Sequence, residues 1–402
     1  MNYLANPVDK DTSRELPKHI AARIDGAAAV AATHAEDVDT AARYPAEAMA
    51  ALKAAKLMSL LVPVAFGGDG ASMAEAAEVC YRLGRACSSA GMIYAMHLVK
   101  VACIVNHGQG VAWQEGVLRR LANEQLLLAS STTEGLGGGN VRSSAAAIEP
   151  KGDGMFSFER DATCISYGAY AEGLVTTARR AGGVDGSDQV LLVLVKENYT
   201  LDLTATWDTL GMRGTCSTGF RLKAEGVMDQ VLPVPYARIH VQTMAPAAHI
   251  LWSATWAGVA AGAVQKAEMF VRKVMRGSGG QLPPGGAHLS AAKSKLRVLR
   301  ALLADAVDRY EAVHTDEEKS ASLDYQSAMA LTKVESSELA LEIAMSCYRT
   351  CGLSGYRNDS DVSIGRQLRD LLSAPIMIHN DRIMASMGSA LAMSGVPTGL
   401  RA

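Results

Sequence analysis

Short runs of apolar and β-branched residues are concentrated in the middle of the chain and predict strands there. Three stand out, at residues 126–130, 173–177 and 190–195. Turn-forming residues bound them, most clearly the glycine-rich stretch 182–187. The segment from about residue 125 to residue 240 is therefore predicted to form a β domain.

Helical patterns dominate on both sides of this segment. Before it, helices are predicted at residues 17–35, from Pro45, and at residues 72–87, 91–106 and 111–122. After it, four long helices are predicted: residues 247–276, a second helix, residues 323–349, and residues 364–393 with a kink at Pro375. The second shows apolar residues at three- and four-residue spacing: Leu296, Leu299, Leu302, Leu303, Ala306 and Tyr310. Four long helices with short links predict an antiparallel four-helix bundle.

Together these patterns predict an α+β fold in three parts. The N-terminal helical domain covers residues 1–124, and the middle domain, of β-barrel-like or β-sandwich type, covers residues 125–240. The C-terminal antiparallel four-helix bundle covers residues 241–402. A β layer between two helical blocks is expected to form the floor of a site.

The composition of the chain argues against several classes of protein. The chain has 402 residues, of which 49% are hydrophobic and 20% charged, so it can bury a large core. A formal net charge of −2 argues against a nucleic-acid partner. Seven cysteines at irregular spacing form neither a zinc pattern nor a disulfide framework. We therefore expect reduced thiols, no metal site and a cytoplasmic location.

One stretch tests the expectation that no segment spans a membrane. Residues 245–264 contain no charged side chain and are long enough to cross a bilayer. The stretch is rich in alanine, is polar at one end, and continues without a break into the charged residues 265–268. A buried helix of the bundle explains it better than a membrane span.

Several local motifs occur in a fixed order along the chain. They are Pro-Val-Ala-Phe-Gly-Gly at 63–68, Ser-Thr-Thr-Glu followed by glycines from 131, Ile-Ser-Tyr at 165–167, Leu-Gly-Met-Arg-Gly-Thr at 210–215, Gly-Leu-Ser-Gly-Tyr at 352–356, and Arg-Asp at 369–370. In this order and at these separations they resemble the motifs of the acyl-CoA dehydrogenase superfamily. The resemblance covers nearly the whole chain.

The resemblance implies a flavoprotein with non-covalently bound FAD between the β domain and the bundle, in a homotetramer. Its substrate would be an acyl-CoA or another acyl thioester; the electron acceptor stays open. A base takes the α proton while the flavin takes the β hydride. Carried over motif by motif, the cofactor-binding residues are Ser130, Thr132, Thr133, Gly139, Ser166, Gly352, Gly355 and Asn380. Of these, Gly139 would approach the phosphates, and the last two glycines would face the adenosine of a neighbouring subunit.

The departures from the family pattern bear on the reaction. The two positions at which family members carry their catalytic glutamate are Ile378 and Ala248 here, and neither side chain can abstract a proton. Cys164 stands where family members usually have an aromatic residue that stacks on the flavin. Arg349 stands where they usually have a glutamine.

Histidines near these positions are the candidate bases, because imidazole titrates near neutral pH. His249 adjoins Ala248, and His379 adjoins Ile378, so both are predicted catalytic residues. His97 is a further candidate, on the uncharged helix of the N-terminal domain. For each, the alternative is a core histidine bonded to a backbone carbonyl.

Three functions are compatible with this sequence. The first is α,β-dehydrogenation of an acyl thioester with a displaced base, within fatty acid metabolism. The second is a flavin-dependent monooxygenase or oxidase on the same fold. The third is a relative that binds flavin or acyl groups without turnover. The overall set of motifs favours the first.

Overall fold

A computed structural model describes residues 16–134 and 143–393, together with residues 395 and 399. Its N-terminal helices are α1 (Lys18–Thr40), α2 (Ala46–Ala54), α3 (Met73–Ala86), α4 (Ser88–His107) and α5 (Ala112–Glu124). Local sequence explains several of their ends. Ser72 caps α3, with its hydroxyl accepting from the N–H of Glu75 at 3.2 Å while the Glu75 carboxylate accepts from the N–H of Ser72 at 2.7 Å. The helix α4 is nearly uncharged because it is buried on almost every side.

The middle of the chain forms two sheets. The strands are β1 (Leu128–Ser131), β2 (Glu149–Gly152), β3 (Met155–Ile165), β4 (Gly173–Arg179), β5 (Gln189–Val195), β6 (Tyr199–Ala205) and β7 (Thr218–Val227). One sheet has the order β1-β4-β5, with β1 parallel to β4. The other has the order β2-β3-β7-β6 and is antiparallel throughout. The three predicted strands are β1, β4 and β5.

The strands that the apolar runs did not reveal belong to the second sheet. Burial alternates along β3 and β7, because one face of this sheet is exposed. Charged residues therefore interrupt the apolar pattern of both strands, as at Glu159 and Lys223. In β4 and β5 nearly every residue is buried, so these two strands show as continuous apolar runs.

The C-terminal part is helical. Its elements are α6 (Tyr236–Ile239), α7 (Ala245–Gly277), α8 (Gly286–Val313), α9 (Glu317–Ser320), α10 (Leu323–Cys351), α11 (Leu353–Tyr356), α12 (Gly365–Leu371) and α13 (Asn380–Met393). A π-helical turn, His240–Met244, joins α6 to α7 without a break. The helix α10 packs against α7, α8, α12 and α13, which gives the predicted bundle. The α+β fold of helical N- and C-terminal parts around a middle sheet domain is thus confirmed.

The predicted fourth bundle helix needs a correction. It is not one kinked helix from residue 364 to residue 393 but two helices, α12 and α13, separated by residues 372–379. Pro375 lies in this connection, where the N–H of Asn380 bonds to its carbonyl at 2.9 Å. Ile378 has a φ of 50°, in the left-handed region that a helix cannot use. The break places Ile378 on a turn rather than on a helix.

In the part of the chain that the structure describes, two helices are long and apolar enough to cross a membrane, Ser88–His107 and the continuous run Tyr236–Gly277. In each, 89% of the most apolar window is buried against the rest of the chain, as in core helices. Glycines allow the second to approach α3 closely. A Cβ at Gly258 would lie 2.1 Å from the carbonyl oxygen of Tyr81, and one at Gly84 would lie 2.4 Å from that of Thr255.

The motif at residues 210–215 joins the three parts of the chain, and we call this contact the Asp370 junction. The N–H of Met212 donates to the buried Asp370 carboxylate at 2.6 Å. Arg369 donates to the carbonyl of Leu210 at 3.1 Å and pairs with Asp39 of α1. A Cβ at Gly211 would lie 2.1 Å from the carbonyl oxygen of Arg369, so only glycine fits.

Candidate functional site

A cavity of about 820 Å³ lies where the three parts of the chain meet. Its walls come from α4, the end of β1, the π-helical turn with α7, the start of α10, and the connection leading into α13. Most of the lining is apolar. The apolar lining residues include Met96, Val99, Met244, Ala248, Trp252, Met329, Ile378, Ile383 and Met387. A cavity of this size suits a planar ring together with a small substrate.

The end of β1 supplies hydroxyl groups to the cavity wall, from Ser130 and Thr132. Its backbone is held from behind by Arg160, whose side chain is fully buried and donates to the carbonyl of Ser131 at 2.7 Å. Burial lowers the pKa of Arg160 to about 10, against the effect of Glu134, whose carboxylate lies 3.2 Å from the guanidinium. Glu134 in turn accepts from the N–H of Ala145 at 2.7 Å. The position of the hydroxyls is thus fixed by a buried ion pair.

His249 lies on the cavity wall at the start of α7. Its Nδ1 is 3.0 Å from the carbonyl oxygen of Met329, so we assign the proton to Nδ1. Nε2 is then the unprotonated nitrogen, and the described residues offer it no hydrogen-bond partner. Burial is the main cause that lowers the pKa of His249 to about 4, with the nearby Lys333 ammonium acting in the same direction. The ring is therefore neutral at physiological pH.

Both positions at which the family carries its glutamate, Ala248 and Ile378, line the cavity. No aspartate or glutamate of residues 16–134 and 143–393 does so. At Ile378 the left-handed backbone is unfavourable for a β-branched residue and costs on the order of 1–3 kcal/mol. Strain of this kind is retained where the surrounding structure imposes it.

The surroundings of Ile378 explain how it is held. Asn380, two residues on, is buried, and its Oδ1 accepts from the Lys333 ammonium at 2.6 Å. Its Nδ2 donates to Ser337 at 2.9 Å and to Glu338 at 2.8 Å. The Asn380 amide thus anchors the turn, and its role in cofactor binding stays a prediction.

The ionisable groups that line the cavity are basic or phenolic: Lys100, Tyr236, His240, His249 and Arg382. Sequence reasoning missed Lys100, although it is the one lysine, arginine or carboxylate in Ser88–His107. It also missed Trp252, whose buried indole N–H has no hydrogen-bond partner in the described part of the chain. The cavity is therefore rich in donors and poor in acceptors.

Two of the three candidate histidines do not line the cavity. His379 is exposed and is not part of the cavity wall, and its catalytic role stays a prediction. His97 is a core histidine, because its Nε2 lies 2.8 Å from the carbonyl of Met58 and its Nδ1 accepts from the N–H of Leu128 at 3.0 Å. For His97 the alternative of a core histidine bonded to a backbone carbonyl therefore holds.

The remaining predicted cofactor residues are spread out. Thr133 and Ser166 are half-buried and are not part of the cavity wall, and the hydroxyl of Ser166 lies 2.7 Å from that of Ser217. Gly352 ends α10 with a φ of 53° and is exposed, whereas Gly355 is buried. Gly139 lies outside the described residues. The structure thus brings Ser130, Thr132 and His249 together at one cavity.

Two family models match the chain. The model described as "Acyl-CoA dehydrogenase, N-terminal domain" matches residues 21–148, and the model "Acyl-CoA dehydrogenase, C-terminal domain" matches residues 250–381. The chain therefore belongs to the acyl-CoA dehydrogenase superfamily, as its motifs indicated. This membership supports a flavin cofactor, and FAD is consistent with the family.

Similar proteins divide between two kinds of enzyme. The "Probable acyl-CoA dehydrogenase YngJ" of Bacillus subtilis (strain 168) is 24% identical over 185 residues, 46% of this chain and 48% of that protein. The oxygenase component of an FADH(2)-dependent resorcinol hydroxylase from Rhizobium sp. (strain MTP-10005) is 31% identical over 96 residues, 23% of this chain and 24% of that protein. The first match spans about half the length of the relative, and the second about a quarter.

Among solved structures, FMN-bound TdsC of Paenibacillus sp. A11-2, a dibenzothiophene monooxygenase, superposes with a TM-score of 0.81. The superposition covers 94% of this chain and 98% of that one, at 18% sequence identity. At this identity the likeness establishes the fold alone.

The residues at the cavity fit a flavin. The ring system of a flavin presents mainly acceptor oxygens and nitrogens along its polar edge. The hydroxyls of Ser130 and Thr132 are donors at the wall from which this edge can accept.

Proposed function

We propose that this protein is a flavin-dependent monooxygenase, which transfers one oxygen atom from dioxygen to a small substrate in the cavity. The observation that carries this proposal is the carboxylate-free wall: Ala248 and Ile378 stand at both glutamate positions. Dehydrogenation of a thioester needs a base at the α carbon, whereas oxygen transfer does not.

His249, the base next to a family glutamate position, is too weak for the dehydrogenase reaction. A general base works best when its pKa lies near the working pH. Burial lowers the pKa of His249 to about 4, far from that optimum for removing a proton from carbon. A neutral imidazole nevertheless can accept a hydrogen bond through Nε2, or take a proton from an acidic hydroxyl group.

The chain's own residues have three tasks in this proposal. The hydroxyls of Ser130 and Thr132 orient the ring of the flavin, which when bound in its reduced form supplies the reaction with dioxygen. His249 holds a neutral acceptor at the start of α7, aligned through the carbonyl of Met329. The apolar wall excludes water, which protects reactive species from hydrolysis.

Names among the relatives lend support. TdsC is a monooxygenase, and the Rhizobium relative is the oxygenase component of an FADH(2)-dependent hydroxylase. We infer that this chain likewise uses a reduced flavin, either FADH₂ or its FMN counterpart, made by a separate reductase.

The second candidate is the predicted acyl-thioester dehydrogenase. The two family models and the name of YngJ favour it. In that case an acyl-CoA would be the substrate, and His249 would act as the displaced base.

One pair of measurements separates the two. The protein is loaded with FAD or FMN, and its absorbance is followed anaerobically with butyryl-, octanoyl- and palmitoyl-CoA. We expect no bleaching. The flavin is then reduced with light and mixed with oxygenated buffer, and we expect rapid reoxidation on the protein. An established acyl-CoA dehydrogenase is the positive control for bleaching. Stoichiometric bleaching by any of the three thioesters would refute the monooxygenase.

Assembly and location complete the proposal. A homotetramer is supported by the exposed apolar side chains Leu353 and Tyr356, which flank the linker glycines that family members place against a neighbouring subunit. Light scattering at micromolar concentration tests it, and a monomer would contradict it. A cytoplasmic location is proposed from the cysteines, which are free throughout the described residues.

A further inference from the structure

Lys100 is placed unusually for a lysine. It lies in the middle of α4, a helix with no other lysine or arginine, and only 5% of its surface is exposed. Lysine is almost never buried to this extent without a partner. Its side chain nevertheless forms part of the cavity wall, beside Met96 and Val99.

Within the described residues, no carboxylate pairs with the Lys100 ammonium. The one hydrogen-bond contact of the Lys100 ammonium within the described ranges is to the sulfur of Met244, at 3.7 Å, which is a weak acceptor. Burial lowers the pKa of Lys100 to about 8, which expresses the cost of holding the charge there.

Other buried lysines of the chain show that this is not general. Lys333 donates to Asn380 at 2.6 Å, and Lys266 donates to the carbonyl of Ser363 at 2.7 Å. Each therefore has an oxygen partner inside the chain. Among the described residues, the Lys100 ammonium has only the sulfur of Met244 as a partner, and Lys100 lines the cavity.

We propose that Lys100 binds an anionic oxygen of the substrate. The substrate is then a small apolar molecule that carries one carboxylate or one ionised phenol. This inference rests on the proposed function, because that function makes the bound anion a substrate. The binding of the anion itself does not depend on which reaction follows.

The surroundings of Lys100 fit the substrate better than the cofactor. The donors assigned to the flavin are hydroxyls at the end of β1, Ser130 and Thr132. Lys100 belongs instead to a wall of apolar side chains from α4 and the π-helical turn, which suits the body of an apolar substrate. A charge-assisted hydrogen bond in such a dry place is about twice as strong as a neutral one.

The test uses flavin-loaded protein and matched pairs of probes. Dissociation constants are measured from the change in visible flavin absorbance for benzoate against benzamide, hexanoate against hexanamide, and 4-nitrophenolate against nitrobenzene. We expect the anion of at least one pair to bind about tenfold or more tightly than its neutral analogue, the scale of one hydrogen bond to a charged group. The carboxylate pairs and the phenolate pair distinguish the two kinds of anion.

Variants assign the effect to Lys100. Lys100→Met should abolish most of the preference, Lys100→Arg should keep most of it, and flavin affinity should be unchanged in both. The matched control is Lys266→Met, which removes the same charge from a half-buried site outside the cavity and should leave the preference intact.

Two results would overturn the inference. One is equal affinity for anion and neutral analogue in all three pairs with the wild-type protein, a comparison that stands even if a variant does not fold. The other is a Lys100→Met protein that binds flavin more weakly but keeps the preference, since Lys100 would then hold the cofactor. Neither readout involves oxygen, so failure of the monooxygenase proposal would be recognised separately.

Discussion

The Asp370 junction and the cavity are both meeting points of the three parts of the chain, yet their polar groups are arranged in opposite ways. At the junction each charge has a partner: Asp370 accepts from Met212, and Arg369 pairs with Asp39. In the cavity wall, Lys100 has only a sulfur neighbour and the indole N–H of Trp252 has none among the described residues.

The difference separates what the fold needs from what a ligand needs. Buried polar groups in folded proteins are nearly always hydrogen-bonded, so a satisfied cluster such as the junction is explained by the fold alone. A buried ammonium such as that of Lys100, whose described hydrogen-bond partner is a sulfur, is costly, and a ligand that accepts from it gives a reason for its retention. The family motif at residues 210–215 therefore holds the parts of the fold together, whereas the cavity is the candidate site for ligand binding and reaction.

Breaking the junction should have the largest effect on stability. Gly211→Ala places a Cβ 2.1 Å from a backbone oxygen, which cannot move without separating α12 from the loop. We expect the free energy of unfolding to fall by about 4 kcal/mol or more, the range of severe packing defects. Gly26→Ala, in α1 with nothing within 4 Å of the new Cβ, is the control and should raise it slightly. Equal denaturation midpoints for the two variants would contradict the tight contact.

Breaking the cavity should affect turnover rather than folding. His249→Asn keeps a donor for the carbonyl of Met329 but removes Nε2. We expect turnover on a confirmed substrate to fall by about two to four orders of magnitude, the scale of a lost proton-transfer group, while flavin stays bound. His379→Ala, on an exposed residue, should change turnover much less. Full activity of His249→Asn would remove His249 from the mechanism.

Acid should destabilise the protein in part through its buried imidazoles. Burial lowers the pKa values of His97, His107 and His249 to about 4. Between pH 4 and about 6.5 the unfolded chain therefore binds more protons, so stability falls as the pH falls through this window. Each histidine contributes at most about 3 kcal/mol. Urea unfolding at several pH values should show a shallower decline in His249→Asn than in wild type, and parallel curves would contradict a neutral His249.

The smallest expected effect has the opposite sign. Lys100→Met removes a buried cation whose one hydrogen-bond partner among the described residues is a sulfur, and it places an apolar side chain in an apolar wall. We expect the free energy of unfolding of the flavin-free protein to rise by about 1–3 kcal/mol. A gain would show that Lys100 is kept at the expense of stability. A loss would mean that the ammonium is satisfied in the native state.

Most of the architecture could be predicted from the sequence, because buried positions in helices and strands give characteristic patterns of apolar residues. Nearly every residue of β4 and β5 is buried, and their apolar runs are unambiguous. The strands β3 and β7 escaped detection because their exposed faces carry charges. The break before α13 escaped because a left-handed isoleucine has no local sequence signal; surrounding contacts such as that between Lys333 and Asn380 impose it.

The candidate site was only partly predictable, for a related reason. The residues that resemblance to the family singled out at Ser130, Thr132, Ala248 and Ile378 all line the cavity, because motif order fixes positions along the chain. It gave no information on Lys100, which no motif contains. The one charge within an uncharged helix was a readable signal, since a lone buried cation requires a partner from somewhere.

The π-helical turn His240–Met244 makes the cavity sensitive to chain length as well as to residue identity. A π turn is equivalent to one residue inserted into an α-helix, and this one lies within a continuous helix of 42 residues. Deleting a single residue from the turn would rotate everything before it by about 100° relative to α7. Tyr236 would then be carried away from the cavity, while His249 and Trp252 would remain. Insertion or deletion of one residue in this turn would therefore change which side chains form one wall of the cavity. The residues that line the other walls would stay the same.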